Sequence, residues 1–165
     1  MSDETEKTNE RSFLDELHQM RTELAQALGE AIWAFAMIER LTYGYMKKLS
    51  SDRLDELMGG QQFRSRIELV ERLVKRLKGQ EADKTVALRY IDKAKKLADK
   101  RNTLAHNPWQ IWIDFDESKL KSEVMKVTDE TKRLDLAMVR EFREEAGEVA
   151  STLEYLLGQL HYPGP

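Results

Sequence analysis

From Leu14 onward, apolar residues return at helical spacings: Leu14, Leu17, Leu24, Leu28, Phe35, Ile38, Leu41 and Tyr45. Such a pattern keeps one face of a helix apolar and predicts a long first helix starting near Ser12. Gly29 falls in its middle, where low helix propensity marks a kink, a close helix contact or the join of two helices. Ser50-Ser51-Asp52 stops this element and suits the cap of a short helix through Met58, and Gly59-Gly60 makes a turn. A second long helix is expected over residues 62–78, from Phe63, Ile67, Val70, Leu73, Val74 and Leu77, with Gly79 ending it. A third is expected over residues 82–105, with Val86, Tyr90, Ile91, Ala94, Leu97, Ala98, Leu104 and Ala105 along its stripe.

The period then changes from helical to two. Trp109, Ile111, Ile113 and Phe115 alternate with Gln110, Trp112 and Asp114, Asp116-Glu117-Ser118 reads as a turn, and residues 123–128 form a weaker second strand. This predicts a small β-hairpin inserted before the last helix. That helix is expected over residues 135–160, where Val139, Phe142, Ala146, Val149, Leu153, Leu156 and Leu160 alternate steps of three and four. So regular a seam suits a bundle core or a dimer contact. The fold class is therefore all-α: an antiparallel bundle of four to five helices carrying a β-hairpin. Residues 12–160 make one domain, flanked by a disordered tail at 1–11 and a short tail at 161–165.

Composition narrows the function classes. At 165 residues the chain is long enough for a real core. It has no cysteine, which removes disulfides and thiolate metal sites. No apolar run approaches the ~20 residues a membrane span needs, so no membrane partner is expected. The acidic, polar start lacks the basic and apolar regions of a signal peptide, and a cytoplasmic location is expected. The net charge of −3 conceals an asymmetry: residues 61–101 hold 13 Lys/Arg and 6 Asp/Glu, an excess of +7, against −10 elsewhere. The basic segment fits a phosphate-bearing ligand, and equally a solvated face of mixed charge. Phosphate-binding Gly-rich loops, zinc patterns and nucleophile elbows are absent, and Asp114, Asp116 and Glu117 lack the spacing of a calcium loop, so neither metal nor cofactor is expected.

The candidate chemistry lies at the end of the third helix, in Lys100-Arg101-Asn102-Thr103-Leu104-Ala105-His106-Asn107-Pro108-Trp109. Arg101 falls on the apolar stripe, where a charge is costly unless paired or used. Asn102 and His106 are four apart and share a face if the helix reaches His106. Asn107 precedes a proline and so leaves the helical region. An arginine, an amide and an imidazole thus gather at a helix C-terminus. A structural reading stands beside this one. Glu39, four after Phe35 on its own apolar stripe, is the expected partner if Arg101 is a structural ion pair. His106 would then cap the helix end, where a cation gains ~0.3–1 kcal/mol. Trp109 and Trp112 are candidates either for packing on the bundle or for stacking on bases. His18 and His161 fall away from any site.

Arg101, a polar residue at 102, and His106 after four intervening positions form a pattern that resembles the HEPN superfamily of helical-bundle proteins. The resemblance in architecture spans roughly Leu24 to Leu160, and a long helix follows the motif as it does in that family. It implies metal-independent RNA cleavage, since catalytic HEPN proteins are ribonucleases, frequently toxins with antitoxin partners or parts of phage defence. It also implies a homodimer in which two motifs face one cleft. His106 would be general base or acid, because an imidazole titrates near neutrality. Arg101 would clamp the phosphate and the charge of the transition state. Asn102 would orient His106 or contact the phosphate. Many HEPN-like bundles lack nuclease activity, and for such a protein the expectation is an interaction module with a protein partner.

Overall fold

The computed structural model describes the backbone of residues 2–117 and 119–161 and the side chains of residues 12–117, 119–129 and 131–161. Five helices carry the fold: α1 (Ser2–Lys48), α2 (Leu54–Leu57), α3 (Phe63–Arg76), α4 (Glu81–His106) and α5 (Leu136–Gln159). Between α4 and α5 stand three strands, β1 (Trp109–Asp114), β2 (Lys119–Lys126) and β3 (Asp129–Asp135). Among the described residues, no helix is long and apolar enough to cross a membrane.

Most of the predicted stripe residues form or border the core, whereas Leu14 and Ala105 are exposed. Phe35, Ile38, Leu41 and Tyr45 of α1 are buried, as are Ile67, Val70 and Val74 of α3 and Ile91, Ala94 and Leu97 of α4. Every residue of the α5 seam from Val139 to Leu160 is buried. The α1–α5 contact is the most extensive between helices. Within it the Tyr45 hydroxyl donates to Leu153 O at 2.8 Å, and burial pushes this phenol above its ordinary range.

Two expectations are corrected. The bundle is not antiparallel throughout. Contacts of α1 with α5 advance together, from Glu23–Arg140 (3.6 Å) through Glu30–Arg143 (2.7 Å) to Arg40–Glu154 (2.9 Å), so these helices are parallel. Those of α4 with α5 run in opposite senses, from Lys93–Glu148 (3.1 Å) to Lys100–Glu145 (3.6 Å). The cause is residues 49–62, which return the chain from the end of α1 to Phe63 beside Phe35, so that α3 runs parallel to α1, α4 runs back, and the segment between α4 and α5 reverses the chain once more. That segment is a three-stranded antiparallel sheet in the order β1-β2-β3, in place of the expected hairpin. Val124 sits between Trp109 of β1 and Leu134 of β3, and this row closes the end of the bundle. The α1 backbone is helical from Ser2. Glu, Lys and Arg are good helix formers, and a helix propagates more readily than it starts. The side chains of residues 1–11 and all of residues 162–165 lie outside the described residues.

Local chemistry sets the boundaries. α1 passes through Gly29 without a break, and a Cβ there would meet nothing within 4 Å. The close helix contact is at Gly44, where a Cβ would stand 2.9 Å from the Leu157 side chain. Gly79 and Gln80 reverse the chain between α3 and α4 with φ of 75° and 55°. Gln80 tolerates this conformation because its side-chain amide is bonded twice to the backbone of His161, at 3.0 and 3.2 Å.

Candidate functional site

The end of α4 is held by its own sequence. Asn107, extended ahead of Pro108, makes His106 the last helical residue. Its side chain then works in both directions: Nδ2 donates to Thr103 O at 2.8 Å, and Oδ1 accepts from Val127 N at 3.0 Å. The last turn of α4 is thereby tied to the β2–β3 turn.

Arg101, Asn102, His106 and Glu39 line one cleft of about 980 Å³, walled by α1, α3 and α4. Arg101 is half-buried, with 28% of its side chain exposed. Nη2 donates to Glu39 Oε1 at 3.0 Å, Nη1 donates to Asn102 Oδ1 at 3.0 Å, and the guanidinium lies 5.6 Å from the centroid of the Phe35 ring. The ring is itself fixed by Phe63 at 5.0 Å and Phe142 at 6.2 Å. Arg101 is thus a planar cation set on a rigid aromatic floor. Its remaining N–H groups have no partner among the described residues, and these are donors available to an oxyanion.

The expected Glu39–Arg101 pair is therefore formed, yet it leaves Arg101 facing the cleft rather than sealed in the core. The Asn102 side chain engages Arg101, and no bond joins it to His106 among the described residues. His106 is exposed on the cleft wall. Trp109 packs against the core, and its buried Nε1 has no hydrogen-bond partner among the described residues. Trp33 projects from α1, 72% exposed, whereas Phe35 is core. No group of three His, Asp or Glu among the described residues is arranged to hold a metal ion.

Further cations reach the cleft from α3 and α4. Arg64 pairs with Glu68 at 3.4 Å, Lys96 with Asp92 at 2.7 Å, and Lys95 with Glu71. Hydrogen bonds from Lys75 and Lys95 hold the Glu71 carboxyl below its usual range. Arg66 is different: it is only 8% exposed and has no carboxylate within ion-pair distance among the described residues. It is not among the residues expected at the site, although it carries the same sequence signal as Arg101, a charge on an apolar stripe three after Phe63 and four before Val70.

Comparison with known proteins returned no match to any protein-family model, curated protein or solved structure.

Proposed function

We propose that this chain is a metal-independent endoribonuclease of HEPN type, related to toxins or phage defence. The observation that carries the reading is the placement of Arg101, Asn102 and His106 on one open cleft, Arg101 with unused donors and His106 exposed. In the reaction a bond forms from the RNA 2′-oxygen to the adjacent phosphorus, and the bond from phosphorus to the 5′-oxygen breaks. The products are a 2′,3′-cyclic phosphate and a 5′-hydroxyl. His106 removes the 2′-hydroxyl proton or supplies one to the leaving oxygen. Arg101, held in plane by Glu39 and Phe35, binds the non-bridging oxygens as their charge grows. Each chain brings one imidazole, so a homodimer with facing clefts provides a separate acid and base.

The test compares wild type with His106→Ala, matched for folding by circular dichroism, on total RNA in EDTA. Wild type is expected to leave 2′,3′-cyclic phosphate ends, and His106→Ala to lose activity by about 10²–10⁴-fold, the usual worth of an acid–base group. Equal cleavage by both proteins would remove His106 from the chemistry.

One observation favours a second reading. Glu39 and Asn102 already occupy two sides of Arg101, as in a non-catalytic module whose ion pair ties α1 to α4 and whose partner is another protein. RNA left intact by the wild type, together with a destabilised Arg101→Ala, is the outcome that reading expects.

A further inference from the structure

Arg66 lies at the start of α3 and lines the same cleft as Arg101. Its Nη1 donates to Gln61 O at 2.6 Å and its guanidinium stands 4.8 Å from the centroid of the Tyr43 ring. Its Nε is buried and has no hydrogen-bond partner among the described residues. Three carboxylates line the cleft, Glu39, Asp92 and Asp99, and none is within ion-pair distance of it. Glu39 is engaged by Arg101, and Asp92 by Lys96.

The surroundings add to this charge instead of balancing it. The first turn of α3 contains no acidic residue, and Gln62 makes no side-chain cap. The opening N–H groups of a helix lack intrahelical acceptors and carry partial positive charge. A cation is normally disfavoured there, yet Arg66 reaches back to the carbonyl just before the helix. A buried guanidinium with no carboxylate partner among the described residues, beside a helix N-terminus without a side-chain cap, is an arrangement that favours an oxyanion.

We infer that the α3 N-terminus and Arg66 form a phosphate-binding subsite, distinct from Arg101, which receives a backbone phosphate flanking the one that is cleaved. The bearer of that phosphate rests on the ribonuclease reading; the oxyanion chemistry does not. Arg66 positions the strand and takes no part in bond making. With two phosphates held, one over Phe35 and one at α3, a single strand would be fixed in direction across the cleft.

Two assays test this with the full chain. In the first, the thermal midpoints of wild type and Arg66→Met are compared in inorganic phosphate and in chloride at equal ionic strength. General salting effects are common to both proteins. Specific binding at a few times Kd raises the wild-type midpoint by about 2–4 °C more than it raises the midpoint of Arg66→Met. Equal shifts overturn the inference. In the second, a 2′-O-methyl oligonucleotide that cannot be cleaved is titrated between 50 and 200 mM salt. The slope of log affinity on log salt is expected to be shallower by about 0.7 in Arg66→Met, the loss of one single-strand phosphate contact. A phosphate response with equal slopes overturns the assignment to a strand and leaves a site for free phosphate. If Arg66→Met lacks the wild-type helical signal, Arg66→Lys and Arg66→Gln replace it; Lys should keep the slope and Gln lose it. Failure of the ribonuclease reading is separately visible, as an Arg66-dependent slope in a protein that cuts no RNA.

Discussion

Arg101 has a carboxylate, an amide oxygen and an aromatic face around it, and each constrains a different freedom of the guanidinium. Glu39→Gln keeps the shape and removes the charge, so Arg101 would remain half-buried without a counter-ion. With side-chain exposures of 28% and 23%, the pair lies between the exposed and buried limits, and the loss should be about 1–2 kcal/mol. Chemical denaturation measures it, and the double variant with Arg101→Met should recover most of the stability. An unaltered denaturation midpoint in the single variant would mean that water already satisfies the arginine. The pair was legible in the sequence because both charges interrupt apolar stripes. Arg66 interrupts its own stripe in the same way, but no carboxylate in the sequence suggested a partner, and a charge without a partner has no second position to find it by. Asn102 could not be placed from spacing, since its side chain turns to the residue beside it rather than to the one a turn away.

At the level of elements, periodicity located α3, α4 and α5 to within a few residues, because each buries one continuous stripe. It missed β3, whose sequence Asp-Glu-Thr-Lys-Arg-Leu-Asp has one apolar position and no alternation. That strand is specified by backbone pairing with β2 and by Leu134 opposite Val124, which only the tertiary structure reveals. Its last residue is also the N-cap of α5: Asp135 Oδ1 accepts from Met138 N at 2.8 Å. Asp135→Ala should therefore cost about 1 kcal/mol, lowering the thermal midpoint by about 2–4 °C. No change would show that packing alone fixes the start of the helix. The direction of α5 was equally illegible, because a seam of threes and fours reads the same for parallel and antiparallel neighbours.

Across the whole molecule, carboxylates at least partly open to solvent join one helix to another. Glu30 links α1 to α5 and is held below its usual range by hydrogen bonds from Gln26 and Arg143. Glu71 links α3 to α4, depressed by Lys75 and Lys95. Glu148 links α4 to α5, depressed by Tyr90 and Lys93. A carboxyl with a lowered folded-state pKa stabilises above its unfolded value and loses that contribution as pH falls through the folded one. The thermal midpoint should accordingly stay level from pH 8 to about 5 and decline below about 4.3, the ordinary glutamate value. Glu71→Gln should flatten the decline, and added salt should reduce it. A midpoint that falls between pH 8 and 6 would contradict this account.

The pairing of α1 with α5, the first and last of the described helices, sets an order of events at birth. On a ribosome, α1 is made first, and its most extensive partner follows only after roughly a hundred further residues, a delay on the order of ten seconds at common elongation rates. During that interval α3 and then α4 become available to Phe35, Ile38 and Leu41, but α5 is not yet there to cover them. Nascent chains in that state are vulnerable to chaperone capture and aggregation.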